Sequence, residues 1–511
     1  MAARLPPRAG LVSGIVFITL GALVLRLWRV SAGLPYLATT DEDVVVSRAN
    51  LLMHHHIPTV YDWPTGSMVI LAAVLRVLGI FHHSFIVDGS RAQYLVARLL
   101  SVAAGCALVP LTAALAAELT PRGRRRGPAA LVAATLIALA YTSVRMSRVS
   151  HPEVEQSCAA TTAVLASVLY VRIRNPMLAV AAGALAGLAG SIKYLGGASV
   201  IVVVGACLMG EHTPWRKRLA LAAVSATAAL VTFIVLVPGS ILDVHEFWTG
   251  VKGQFLHQAN GHLGYDSPHP AIGFYLTQAL PGSLGPVLAV LVLAGVVAAA
   301  VRGSAADRLV VVYVVVTVGA LGVSHVDFPH YLLVALPCMI AVAVSTAWRV
   351  IPQDHGMQVA ATAIAIGLCS ITFVDDLKIV SSARDTDTRT IASRALRSLH
   401  GAVVRESYTS DASVTSGQLV AAIGTDPAVE HCRCYVIISS FMEDRYRQEP
   451  ARYANEVAVY DYVRSRGKVV DVIAPSLPLS YRWDLLPQWG AARLSLREQV
   501  VGPEISIVQL P

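Results

Sequence analysis

Three groups of ionisable residues stand where an apolar chain carries charge only at a cost. Asp41, Glu42 and Asp43 follow the first long apolar run. His151-Pro152-Glu153-Val154-Glu155 opens a later run just after Arg145 and Arg148, and Lys193, Asp327 and His330 mark the ends of two others. Ionisable side chains near membrane depth are expensive, so their positions carry information. A carboxylate can accept the proton of an incoming hydroxyl, and fixed cations can hold a phosphate as negative charge builds on it. Carboxylates and cations converging on one membrane face therefore suit a transfer reaction on a phosphate-bearing lipid. For any single residue, anchoring of a helix end explains the position equally well; Asp41, Glu42 and Lys193 together favour chemistry.

The elements that must position these groups follow from composition. Of 511 residues, 55% are apolar and 14% charged, with a mean hydropathy of +0.60. This excludes a soluble globular protein, a disordered chain and a coiled coil, and 7 cysteines are too few for a disulfide scaffold. Residues 1–373 carry 24 Lys+Arg and 15 Asp+Glu, whereas residues 374–511 carry 16 and 17, so the charge density changes near Val374. The first part is expected to be a helical membrane domain and the second a small soluble α/β domain.

Apolar runs able to cross a hydrocarbon core of about 30 Å fall near 10–28, 94–118, 128–143, 152–171, 176–194, 196–209, 219–238, 284–301, 309–323, 331–348 and 357–373, which predicts eleven spans. With a cytoplasmic amino terminus, the inside loops hold 14 Lys+Arg in 46 residues and the outside segments 7 in 125. Arg122, Arg124, Arg125, Arg126, Arg172, Arg174, Arg216, Lys217 and Arg218 then share the inside face, as the positive-inside rule requires. The net charge of +8 is thus an orientation signal and implies no nucleic-acid partner. An odd span count places the C-terminal domain outside, in the periplasm or beyond a bacterial plasma membrane. The first run is followed by ten more and lacks a small-residue cleavage site, so it is expected to be a retained span. Stretches 43–53 and 65–80, punctuated by Pro58 and Pro64, suit helices lying at the interface. Cys106, Cys158, Cys207, Cys338 and Cys369 are expected to pack as small apolar residues, and Cys432 and Cys434, close together in the outer domain, are given no role.

The order of several short motifs resembles a known group. Asp41-Glu42, Tyr61-Asp62-Trp63-Pro64, Ala97-Arg98-Leu99, Ser147-Arg148 with His151-Pro152-Glu153, Ile192-Lys193-Tyr194, and His330-Tyr331-Leu332-Leu333 with Pro337 are arranged as in the GT-C glycosyltransferases. The sequence is most similar to family 39, which holds the protein O-mannosyltransferases and the lipid A aminoarabinose transferase, over roughly residues 10–373. The resemblance implies a GT-C membrane enzyme that moves a sugar from a polyprenyl-phosphate carrier, with inversion, to a glycan, lipid or protein acceptor on the outer face. It implies Asp41 as base, with Glu42 beside it and Glu153 as the other candidate for that role. Arg98, Arg148, Lys193 and His330 would hold the donor phosphate, and Tyr61, Tyr194, His257 and His262 would line the acceptor side. Three positions depart from the pattern: Glu153 stands where relatives often have Asp, Trp63 where the aminoarabinose enzymes have Lys, and His330 where Arg is common.

Other readings compete. Asp385-Thr386-Asp387 spells the Asp-x-Asp of soluble sugar transferases, but it follows no strand, and Asp387 is read as a helix N-cap. Of 16 histidines, 12 fall on the predicted outer side of the membrane domain, including His54-His55-His56, His82-His83, His257, His262 and His269. A metal-ion transporter would suit that richness, but transport ligands belong mid-membrane in broken helices, and these lie in loops. A non-catalytic membrane receptor or scaffold is the remaining alternative. No cofactor is expected to be required; a divalent metal is compatible with the histidines but is not predicted.

Overall fold

The computed structural model describes residues 7–34, 40–123, 125–209, 213–264, 270–352, 354–382, 386–406, 408–409, 419–420, 433–476 and 499–511. Arg124, His269, Asp385 and Cys432 lie outside the described residues. The described chain divides into two units. One comprises Met1–Val30, Val44–Asn260 and Ser267–Asp376, and the other Ser31–Asp43, Gly261–Asp266 and Leu377–Pro511.

In the first unit every predicted apolar run folds as a helix, because continuous apolar sequence satisfies its backbone internally. By length and composition, however, six helices among the described residues can cross a membrane, or seven when the bent pair Ile272–Leu284 and Pro286–Arg302 counts as one span. The shortfall from eleven has a geometric cause. Arg126–Ala138, Pro176–Ile192 and Leu336–Val350 hold 13, 17 and 15 residues, and at 1.5 Å per residue such helices fall short of a core about 30 Å thick. The stretches expected at the interface are helices Thr40–Met53 and Gly66–Gly79.

Small residues let two of the helices meet closely. A Cβ at Gly183 or Gly187 would overlap the backbone carbonyl of Ser225 or Ala229 on helix Trp215–Leu236. This four-residue spacing of glycines is how membrane helices gain dispersion contacts where no hydrophobic drive separates helix from lipid. The bent pair breaks by 119° at Gly285, whose φ of +87° lies in the region open to glycine.

Among the described residues the second unit carries seven short strands: β1 (Thr386–Asp387), β2 (Ala402–Glu406), β3 (Leu419–Val420), β4 (Cys434–Ser439), β5 (Lys468–Ile473), β6 (Val500–Val501) and β7 (Ile505–Gln509). Five form a mixed sheet in the order β3-β2-β4-β7-β5, with β2 parallel to β3 and β4, and β7 antiparallel to β4 and β5. Helices Ser440–Gln448 and Ala454–Arg466 pack on it through Met442, Tyr446, Val459, Tyr460 and Val463, giving the expected α/β layer. Leu263 packs against this same cluster. Asp387 caps helix Thr388–Leu396 by accepting from the Arg389 backbone N–H, as read from sequence. Cys434, given no role, is disulfide-bonded.

Candidate functional site

A carboxylate surrounded by cations is the chemical centre of the first unit. His151 ends an extended approach and Pro152 starts the helix Pro152–Ile173, so Glu153 and Glu155 fall in its first turn. Pro at N1 loses no hydrogen bond, and the positive end of the helix favours acids there. Glu153 is buried, with 1% of its side chain exposed. One oxygen meets Lys193 Nζ and the other His151 Nδ1, while His330 Nε2 lies 3.8 Å from the first. Lys193 reaches it because it ends helix Pro176–Ile192 in extended conformation, and His330 because it lies on the 3-10 helix Pro329–Val334.

Aromatic rings enclose this centre. Lys193 Nζ stands 4.6 Å from the Trp63 ring centroid and 4.8 Å from that of Tyr331, distances at which a ring face attracts a cation. The rings of His151 and His330 meet edge to face at 4.8 Å. Gln156 donates to the Lys193 carbonyl at 3.4 Å. Trp63, Lys193 and Tyr331 also line a cavity of about 530 Å³ whose other walls include Tyr194, Leu195, Phe255 and Leu321. A mostly apolar cavity with a cation at its wall is a site for an amphiphile with an anionic group.

Other sequence-predicted residues take different places. Arg98 donates to the Val30 carbonyl at 2.8 Å and Arg148 to the Leu25 carbonyl at 2.6 Å, both buried around the end of helix Pro7–Leu27. Burial pushes Arg148 down to about 10, and Arg98 and Arg145 beside it add to that, against Asp376. The structure thus gathers Lys193 and His330 around Glu153 and seats Arg98 and Arg148 on main-chain carbonyls. Tyr61 is fully buried and packs with Val237, Phe247 and Val251; burial, then Asp243, raises its hydroxyl above the usual range. Tyr194 donates to the Tyr61 carbonyl at 2.8 Å. His257 is half-buried on helix Val244–Asn260, and burial lowers its pKa, opposed by Asp62 and reinforced by Lys193.

Asp41, Glu42 and Asp43 occupy the first turn of helix Thr40–Met53, where the same dipole argument favours them. Glu42 is buried, Asp41 half-buried and Asp43 exposed. All three belong to the second unit, as does His262. Sequence reasoning placed His151 only within a motif, yet it is a direct partner of Glu153. The signal available was its place before a helix-starting proline, two positions from Glu153, where the backbone is held extended.

His151, Glu153 and His330 present ligand atoms all within 4.8 Å of one another. Two imidazoles and a carboxylate suit zinc, but the Lys193 ammonium holds the same carboxylate and would repel a dication. A divalent ion at this site would compete with the Lys193 ammonium for the Glu153 carboxylate.

No protein-family model matches the sequence, and no curated protein matches it. Solved structures do. The oligosaccharyltransferase of Archaeoglobus fulgidus in its apo form aligns with a TM-score of 0.55 at 14% identity, covering 90% of this chain and 73% of that one. ArnT from Cupriavidus metallidurans bound to undecaprenyl phosphate aligns with a TM-score of 0.50 at 15% identity, covering 75% and 71%. Both are GT-C membrane glycosyltransferases. This chain has the GT-C fold. The archaeal enzyme in complex with zinc and sulfate gives the same alignment, with a TM-score of 0.53 at 13% identity over 89% of this chain and 71% of that one. The GT-C fold accounts for the bundle of spans followed by a small sheet domain, and it makes the chain a multi-pass membrane protein.

Proposed function

We propose that the protein is an inverting glycosyltransferase that takes a sugar from a polyprenyl-phosphate carrier and delivers it to an acceptor on the outer face of the plasma membrane. One observation carries the reading: Lys193 stands at the wall of a largely apolar cavity, shared between the buried Glu153 and two aromatic faces. The apolar walls suit the first isoprene units of the carrier and the ammonium suits its phosphate. The bond to Glu153 keeps Lys193 aimed until that phosphate arrives. The GT-C fold supports the reading, and the ArnT structure that shares it is bound to undecaprenyl phosphate.

In this mechanism the acceptor hydroxyl attacks the anomeric carbon and gives its proton to Asp41, with Glu42 beside it as the alternative acceptor. The bond from the anomeric carbon to the phosphate oxygen breaks, and the electron pair leaves with the lipid phosphate. Lys193 and His330 hold that charge as it develops; Arg98 and Arg148 position the helix ends around the site. Glu153 orients Lys193, Tyr194 lines the donor cavity, Tyr61 supports Tyr194, and His257, on helix Val244–Asn260, and His262 serve the acceptor.

Two observations support the orientation. Glu118 pairs with Arg126 at 3.5 Å and with Arg172, and Asp307 pairs with Arg349 at 2.5 Å, which gathers the loop cations assigned to the cytoplasmic face. The disulfide at Cys434 suits a domain in an oxidising compartment.

The test is turnover by purified protein in nanodiscs with a panel of polyprenyl-phosphate sugars. One donor is expected to be consumed, and Asp41→Asn is expected to lower that turnover by about 10² or more while donor binding persists. Wild-type turnover by Asp41→Asn would end the assignment of Asp41, and inertness toward every donor would end the reading.

A further inference from the structure

The sheet domain carries a second cavity, of about 380 Å³, lined by His400, Gly401, Arg433, Tyr435, Arg466 and Lys468 among others. The register explains why these residues meet. Ala402 pairs with Cys434, and Tyr435 and Lys468 both face Gln509, so β2, β4 and β5 begin where β7 ends. The residues just outside those strands, His400, Arg433 and Arg466, are delivered to one rim together with Lys468. Gly401, at a φ of +138°, lies against the Tyr435 ring, where an added Cβ would stand 3.4 Å from it.

Among the described residues the charge of this rim is uncompensated. Arg389, Arg447, Arg452 and Arg464 of the same domain each hold a carboxylate. Among the described residues, by contrast, the side chains of His400, Arg433, Arg466 and Lys468 make no salt bridge or hydrogen bond, and all four are exposed. Arg433, Arg466 and Lys468 thus bring three positive charges to one cavity. Like charges gathered without a partner repel, and an anionic ligand would relieve that repulsion. Tyr435 and Leu510 supply a partly apolar floor beside the cations.

We propose that this cavity binds an anionic saccharide, its carboxylate or phosphate held by Arg433, Arg466 and Lys468 and its ring laid against Tyr435. Guanidinium groups grip such oxyanions in a planar fork, and an aromatic floor accepts the apolar face of a sugar. That the saccharide is the acceptor glycan rests on the transferase reading; that the cavity binds it does not. Binding is therefore measured apart from turnover.

The full-length protein in nanodiscs of zwitterionic lipid is titrated with an oligogalacturonate, with an uncharged oligosaccharide of equal length, and with inorganic phosphate. The acidic oligosaccharide is expected to bind, weakening as salt rises, and the uncharged one to bind at least tenfold more weakly. Arg433→Glu with Arg466→Glu is expected to lower acidic-oligosaccharide affinity at least tenfold, while Arg394→Glu, an exposed change elsewhere in the domain, leaves it unchanged. Equal binding of the two oligosaccharides, or an unaffected double variant, would overturn the proposal. Binding of phosphate alone would reduce the cavity to a simple anion site, and binding that requires phosphatidylglycerol in the nanodisc would assign it to a lipid surface; either result overturns the saccharide. If turnover fails with every donor while acidic oligosaccharide still binds, the transferase reading falls and the cavity stands.

Discussion

Lys193→Met removes the ammonium and keeps the length of the side chain, so it isolates what the Glu153 pair contributes. Glu153 is 1% exposed and Lys193 12%, which makes this a buried pair. Removing one partner of a buried pair costs about 3–5 kcal/mol, because the other charge is left uncompensated. His151 remains on the second carboxylate oxygen and His330 stays 3.8 Å from the first, so the lower end, about 3 kcal/mol, is expected for Lys193→Met. That is more than a hundredfold in the folded-to-unfolded ratio. Glu153→Gln should cost a similar amount by stranding the ammonium between Trp63 and Tyr331. The double variant strands neither charge and should be more stable than the sum of the singles requires, with a coupling of about 1.5 kcal/mol or more. Reversible unfolding of the four proteins in mixed micelles, by titration with dodecyl sulfate, measures the cycle. Donor affinity gives a second readout, since the double variant should fold well and still bind the phosphate poorly. Additivity within about 0.5 kcal/mol would show that the two charges do not compensate each other and would remove the reason given for the aim of Lys193.

Two further expectations follow from packing and charge. Gly187→Ala should cost about 1–3 kcal/mol by overpacking against the Ala229 carbonyl, and Gly187→Leu should leave no monodisperse folded protein after purification; a well-behaved Leu variant would refute the close helix contact. His257, held below its ordinary pKa by burial, binds fewer protons folded than unfolded, so its contribution to stability is present above the unfolded value of about 6.5 and is lost as pH falls below it. The wild type should therefore lose thermal stability on acidification through that window more steeply than His257→Gln, and parallel curves would place His257 in ordinary solvent.

What the sequence disclosed was governed by range. Apolar runs announce helices because the backbone of each satisfies itself, so the bundle and the change of composition before the sheet domain could be read directly. The N-cap role of Asp387 was equally local, needing only the Arg389 N–H two residues on. The pairing of Glu153 with Lys193 spans forty positions and depends on where two helices end, which no local pattern encodes. Arg98 and Arg148 look from sequence like free cations, but their donors meet carbonyls at the end of the first helix, a geometry set by how far that helix extends. The grouping of Ser31–Asp43 and Gly261–Asp266 with the C-terminal residues was hidden for the same reason: short loop segments carry no periodicity to betray what they pack against.

The break at Gly285 has a consequence for biogenesis. Segment Ile272–Leu284 is far shorter than the roughly 20 residues that a translocon releases into lipid as an independent span. Its polar anchors lie on both sides of it in the chain: Ser283 Oγ is 2.6 Å from Thr142 Oγ, and Tyr275 donates to the Val326 carbonyl at 3.2 Å. The segment therefore gains its full set of polar contacts only once Val326 has been synthesised. Synthesis halted between residues 290 and 320 would leave this stretch unplaced, which makes it a natural point for quality-control proteases to sense an unfinished chain.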